Sequence, residues 1–276
     1  MLLKNSPAPL DARSKELRRS VLRMMQGADR GHIGAAFSLI EIMRVLYDDI
    51  LNFRSDEPEW QDRDRCILSK GHGCLALYAI LADKKYFPDD ELDKFCAFDG
   101  ILGGHPDAGK VPGVEASTGA LGHGLSIGIG MALAARMAGS ARRVYVVTGD
   151  GEINEGSIWE GAMSAAKHGL DNLTVLVDYN KLQSYGPTRE VLDLEPLLDK
   201  WSAFGFAAEE VDGHDVDALR TLLQPKPFAP RRPLAIICHT VKGKGISFAE
   251  GNPAWHHQSR IGDEGFKELY DALETA

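Results

Sequence analysis

A chain of 276 residues, 44% hydrophobic and 26% charged, has the composition of an ordinary globular protein with ample material for a core. Its formal charge of −9 leaves no basic footprint for DNA, RNA or an anionic membrane, although one locally positive pocket for a small anion stays compatible with it. No run approaches the ~18 consecutive apolar residues of a membrane-spanning helix, and Cys66, Cys74, Cys96 and Cys238 show neither paired nor metal-knuckle spacing, so they read as free thiols of a cytoplasmic protein.

The first twenty residues, MLLKNSPAPLDARSKELRRS, lack the apolar stretch of a signal peptide. Apolar positions at helical spacing predict helices over 17–25 and 39–51. A short β-rich run at 65–68 follows, then helices at 74–82 and 125–138. Beyond these, strands at 143–148, 173–178, 207–211 and 234–239 are interleaved with a helix at 158–166, and a last helix covers 266–273. Strands alternating with helices of this length indicate βαβ units. The fold class expected is therefore α/β: a three-layer, mainly parallel twisted sheet with helices on both faces. No internal repeat is present. The stretch QPKPFAPRRP at 224–233 carries four prolines but is only a loop between a helix and a strand, so residues 1–276 are read as one domain.

The strand at 143–148 ends in Gly149-Asp150-Gly151, with a helix expected from about Ser157. Strand-to-helix turns commonly bind phosphates, yet Asp150 would repel one. Parallel strands send their following loops to one edge of the sheet, so Asp150 and the segment Tyr179-Asn180-Lys181-Leu182 arrive at the same edge. A carboxylate and a neutral amide oxygen there suit a hard divalent cation, Mg²⁺ or Ca²⁺. With a cation between them, Asp150 and a diphosphate can share the site. The two side chains and a backbone carbonyl after Asn180 leave coordination positions for phosphate oxygens and water. Gly151 permits close approach, and the amides of the helix N-terminus add to the pull. Taken alone, Asp-Gly is a common turn and an Asn at a strand end often bonds its own backbone; it is the pair at one edge that points to a metal.

Gly149-Asp150-Gly151, followed about thirty residues later by Asn180 at the end of a β-run, resembles the thiamine diphosphate-binding motif. Gly31-His32-Ile33-Gly34, Ser69-Lys70-Gly71-His72-Gly73, Gly104-His105-Pro106 and STGALGHG at 117–124 occur in the order seen in transketolases, as do 149–156, 178–182 and 242–256. The resemblance covers nearly the whole chain but only the N-terminal half of a full transketolase, so the chain resembles the diphosphate-binding subunit of a split transketolase. The resemblance implies that Asp150, Asn180 and the main-chain oxygen of Leu182 hold Mg²⁺, with Ca²⁺ or Mn²⁺ as substitutes. It implies that His72, Gly151, Glu155, Asn180 and His256 meet the cofactor, and that Gly119 and Leu121 hold its thiazolium and aminopyrimidine region. His32, His72, His105 and His256 match the histidines of the family's sugar channel, and Glu155 and Glu160 match acidic positions at its subunit contact. His257, next to His256, is an alternative match, and His123 stands where the family often has Gln.

Glycine-flanked histidines can project from tight loops and pass protons near neutral pH, the service that sugar hydroxyls need in ketol transfer. A lone loop histidine is more often a surface or structural residue, and that reading is kept for His123, His168, His214 and His239. In the family, thiamine diphosphate carries the two-carbon unit, and the glutamate that activates it lies in the other half. The resemblance therefore implies a partner subunit with pyrimidine-binding and C-terminal domains, a heterotetramer of two plus two chains, and ketose or aldose sugars, as phosphates, for substrates. A 1-deoxyxylulose-5-phosphate synthase-like or other ketol or acyl transferase is the alternative within the family. Outside it stand an NAD-dependent dehydrogenase and a non-catalytic cofactor-binding subunit. The glycines at 122–128 suggest the former, but the last is one place late for GxGxxG and no strand precedes them.

Overall fold

A computed structural model describes residues 10–224 and 231–276. Residues 1–9 of the leading segment and 225–230 of the proline-rich loop lie outside the described residues. Five strands form one sheet: β1 (Arg65–Leu68), β2 (Val144–Gly149), β3 (Leu173–Tyr179), β4 (Ala207–Asp212) and β5 (Leu234–His239). Their order is β1-β2-β3-β5-β4, and every neighbouring pair is parallel. Strand direction therefore delivers the loops after β1, β2, β3 and β5 to one edge.

Side chains alternate across the sheet with the period of two that a strand imposes. Cys66, Leu68, Tyr145, Val147, Leu176, Ile236 and Cys238 enter one core. Ile67, Val144, Val146, Val175, Val177, Ala235 and Ile237 enter the other. The first core is closed by α1 (Ala12–Ala28), α2 (Ile33–Phe37), α3 (Ile40–Val45) and α4 (Cys74–Asp83), and the second by α5 (Gly124–Met137), α6 (Gly156–His168) and α7 (Leu197–Ala203). Helices α8 (Val216–Leu223) and α9 (Gly262–Thr275) complete the first layer. This is the three-layer α/β fold expected, with both faces of a parallel sheet covered.

Each element follows from its residues. Asp11 caps α1 by accepting the Ser14 N–H at 2.8 Å, and Leu17, Val21, Met24 and Met25 form its buried stripe. Helix α4 is apolar on all sides and buries nine of its ten residues, from Cys74 to Ala82, as such a helix must. The helix expected over 39–51 is instead three pieces: α2, α3 and a wider turn over Leu46–Ile50. Nearly every residue from 33 to 47 is buried, so apolar spacing there carries no sign of where one piece stops. Sequence spacing also left unmarked the two-residue antiparallel ribbon that pairs Arg30–Gly31 with Gln258–Ser259.

One charged pair lies inside the first core. Arg18 is buried completely, and its guanidinium donates to Glu41 at 2.6 and 3.0 Å, to the carbonyls of Phe37 and Lys244 at 3.0 and 2.9 Å, and to Ser14 O at 3.3 Å. Burial opposes ionisation of Glu41, but Arg18 and His214 outweigh it and hold the carboxyl well below its ordinary range. Among the described residues, no helix is long and apolar enough to cross a membrane. All four cysteines are free.

Helix α5 approaches β2 closely because Gly128 has no side chain. A Cβ there would lie 2.5 Å from Val146 Cγ2, whereas one on Gly130 would meet nothing within 4 Å. Gly128→Ala should lower the unfolding free energy by about 1–3 kcal/mol through overpacking. Gly130→Ala, on the exposed side of the same helix, should raise it by about 0.4–1 kcal/mol. Urea midpoints at unchanged m-value report both, and equal effects would refute the packing account.

Candidate functional site

At the edge where β2 and β3 end, Gly149 pairs with Asp178 in register, and the Asp150 N–H donates to Asp178 O at 3.2 Å. The Asp150 carboxylate accepts the N–H of Gly151 at 2.7 Å and that of Lys181 at 2.6 Å. Asn180 Oδ1 accepts the Leu182 N–H at 3.1 Å, and Leu182 O accepts the Lys242 ammonium at 2.8 Å. Asp150, Asn180 and Leu182, expected to meet from topology alone, thus share one turn. A short 3₁₀ turn, Glu152–Asn154, separates Gly151 from α6, so the long helix does not open directly on the aspartate as expected.

These residues line a cavity of about 390 Å³ together with His32, His72, Gly119, Leu121, Gly151, Glu155 and His256. Gly119, Glu155, Ser184 and Tyr185 line it yet are exposed, leaving its outer wall open to solvent. His105 is not part of that lining. It borders a second cavity of about 330 Å³, and its ring lies against Gly119, where a Cβ would be 3.2 Å from its Cδ2. His257 is exposed and packs its ring 4.6 Å from that of His32, while His256 faces the cavity with Nδ1 at 2.7 Å from the Lys242 ammonium. His123 is exposed and holds Leu121 O, and Glu160 lies exposed on α6.

Charge in the cavity is unbalanced in two opposite senses. Burial, and then Asp178 nearby, push the Asp150 carboxyl up to about 6. Burial, and then Lys70, push the Lys242 ammonium down to about 8. The histidines form a cluster, with the His32 ring 5.6 Å from His72 and 5.4 Å from His256. Burial and then the neighbouring imidazoles depress His32 to about 3, burial and then Lys242 depress His256 to about 4, and burial and then Lys70 hold His72 well below its ordinary value. All three are neutral at pH 7, which removes the option of a resident imidazolium. Among the described residues no group of three or more His, Cys, Asp or Glu side chains is arranged to hold a metal. A cation at Asp150 would therefore draw on neutral and ligand-borne oxygens.

Sequence reasoning missed four residues that build this cavity. Lys70 donates to the wholly buried Asp178 at 2.5 Å, Ser38 donates to the same oxygen at 2.6 Å, and Thr240 donates to the other. Glu152 accepts the N–H groups of Gly122 and Gly149 at 3.0 Å each and the Ser69 hydroxyl, so it ties three loops together. Lys242 completes the set. Each is a single charged residue between glycines or apolar residues, with no periodicity to mark it. Two glycines expected to admit a ligand serve loop packing instead. A Cβ on Gly71 would lie 2.6 Å from Thr118 O, and one on Gly124 would lie 2.3 Å from Ser69 Oγ. The dehydrogenase alternative is contradicted: among the described residues no strand immediately precedes Gly122.

The family described as transketolase, thiamine diphosphate binding domain, matches residues 12–274. One of the two component chains of an apulose-4-phosphate transketolase from Actinobacillus succinogenes is 44% identical over 267 residues, 95% of this chain and 96% of that protein. The 6-deoxy-6-sulfo-D-fructose transketolase subunit SqwG of a Clostridium species is 40% identical over 265 residues, 96% of each. A crystal structure of transketolase complexed with sedoheptulose-7-phosphate, from Pichia stipitis, superposes with a TM-score of 0.86 at 29% identity and covers 94% of this chain. This chain spans only 40% of that longer one.

Asp178→Asn would strand the Lys70 ammonium in the interior. The expected loss is about 3–5 kcal/mol of stability, most of which Lys70→Met should restore in the double variant. Equal denaturant midpoints for wild type and Asp178→Asn would show that the pair carries no such weight.

Proposed function

The chain belongs to the transketolase family, and from that premise we propose that it is the diphosphate-binding subunit of a two-chain, thiamine diphosphate-dependent transketolase. One observation carries the reading: in a single cavity a buried carboxylate short of positive charge stands beside two buried ammonium groups that crowd each other. A divalent cation bound to a diphosphate answers both deficits at once, so the residues present fit that group. Mg²⁺, or Ca²⁺ or Mn²⁺ in its place, would be held by Asp150, Asn180 and the Leu182 carbonyl. His72, Gly151, His256, Lys70 and Lys242 would hold the diphosphate, with Gly119, Leu121 and Glu155 along the rest of the cofactor.

When bound, thiamine diphosphate supplies the nucleophilic carbon that takes up and passes on a two-carbon ketol unit. The chain's own part is anchoring and proton handling. Neutral His32 can accept a sugar hydroxyl proton at a ring nitrogen and return it. Lys242 donates to Nδ1 of His256, which leaves the His256 proton on Nε2 as a donor towards a sugar oxygen. His105, at the rim, is suited to the far side of the same sugar.

The match to relatives that are themselves named as transketolase subunits, and to 40% of a longer transketolase, supports a separate partner chain. That partner would carry the pyrimidine-binding and C-terminal domains, close over the open wall at Glu155 and Tyr185, and assemble as two plus two chains. Residues 1–276 would act as one domain. Free cysteines support a reducing, cytoplasmic setting. The substrates would be a ketose and an aldose bearing an anionic terminal group, as the names of the two relatives suggest for those proteins.

Ketol transfer should be absent with this chain alone and should appear when a chain with a pyrimidine-binding domain is added. In that mixture, Asp150→Asn should weaken magnesium-dependent cofactor retention by about tenfold or more, equivalent to about 1.4 kcal/mol. Cofactor at about one hundred times its Kd should add about 2.7 kcal/mol to the unfolding free energy of the complex, and only with the metal present. Full activity without a second chain, or retention indifferent to Asp150→Asn, would defeat the proposal.

A further inference from the structure

His214, in the loop between β4 and α8, lies outside the cavity lining but is joined to it by two hydrogen bonds of opposite sense. Its Nδ1 lies 2.8 Å from Glu41 Oε2, and its Nε2 accepts the Val241 N–H at 2.8 Å. A backbone N–H can only donate and a carboxylate can only accept, so the ring is neutral with its proton on Nδ1. Its side chain is only 4% exposed, and its carboxylate partner is fixed in turn by Arg18. The loop also presses on the same segment through Gly213, where a Cβ would lie 2.4 Å from Thr240 Cγ2. Residue 242, one place beyond Val241, is the lysine that bridges Leu182 O and His256 Nδ1.

We propose that His214 is a positioning residue: fixed by Glu41, it holds the Val241 amide and thereby sets where Lys242 enters the cofactor cavity. This deepens the transketolase reading and rests on it for the role of Lys242. The alternative, a histidine that only fills the core, has no need for an acceptor nitrogen aimed at one amide of the loop after β5. Arg18 grips the same loop from the other side, through Lys244 O, so the segment carrying Lys242 is held at both ends by one buried cluster.

Two variants separate the two bonds of the ring. Asparagine can place a donor near Nδ1 but ends short of Val241. Glutamine reaches the Nε2 position with an acceptor but gives up Glu41. In His214→Asn the exchange of the Val241 amide should speed up by about tenfold while that of Ile236 and Ile237 in β5 holds. In the assembled enzyme the KM for thiamine diphosphate should rise by about tenfold with kcat within about twofold. His214→Gln should recover much of both. In the wild-type chain, ring ¹⁵N shifts should show the neutral Nδ1–H form.

Another ring form, an unchanged Val241 amide in His214→Asn, protection lost equally throughout β5, or a freed amide with unchanged cofactor KM would each overturn the proposal. The ring and amide measurements need no cofactor. A complete failure to bind thiamine diphosphate would therefore count against the transketolase reading and leave those two measurements standing.

Discussion

The Asp178 carboxylate is the constraint on which the site is built. It is wholly buried at the end of β3, where a lone charge would be expelled or protonated. Burial opposes its ionisation, but Lys70, Ser38 and Thr240 reverse that and keep the carboxyl below its ordinary range. Those three donors come from the loop after β1, the end of α2 and the loop after β5. One carboxylate thus fixes, in a single network, the segments that carry His72, His32 and Lys242. A partly satisfied buried network would be worse than an apolar core, so these segments must arrive together or not at all.

Glycines make that convergence sterically feasible. Thr118 O, Ser69 and Leu39 each occupy space that a Cβ on Gly71, Gly124 or Gly73 would need. The glycine-rich motifs are therefore mutual: the loop at 69–73 is glycine-rich because the loop at 117–124 and helix α2 press into it. Glu152 then closes the third side by accepting from Gly122, Gly149 and Ser69. Read singly, such loops look like ligand cradles, but much of their glycine content answers to neighbouring protein.

The parts legible in the sequence were those with a period or a direction. Alternation in 143–148 and 173–178 marked two strands within a residue of their observed ends, and parallel topology alone brought Asp150 to Asn180. Where burial is total, as from 33 to 47, period fails and the breaks between α2, α3 and the following wide turn were invisible. Lys70, Glu152 and Lys242 were missed because a buried charge is defined by partners distant in sequence, and 108 residues separate Lys70 from Asp178. His214 has the same character. Its meaning lies in Glu41 and Val241, neither near it in the chain.

The cavity divides two tasks that one kind of residue could not perform together. Attraction of an anion needs fixed positive charge, whereas proton transfer needs a base that is free at neutral pH. Lys70 and Lys242 supply the charge, and their nearness helps keep His72 and His256 neutral. A diphosphate close to the lysines would relieve part of that repulsion and raise the histidine values towards the working range. On this account the order of events is built into the electrostatics: the imidazoles become effective acceptors only after the anion has arrived. An empty cavity, with its bases held near 3 and 4 at His32 and His256, has little tendency to take up protons. A protein with a net charge of −9 can thus keep a small anion-seeking pocket, because the lysines that form it answer to Asp178, Leu182 and His256 and are sheltered from the acidic surface.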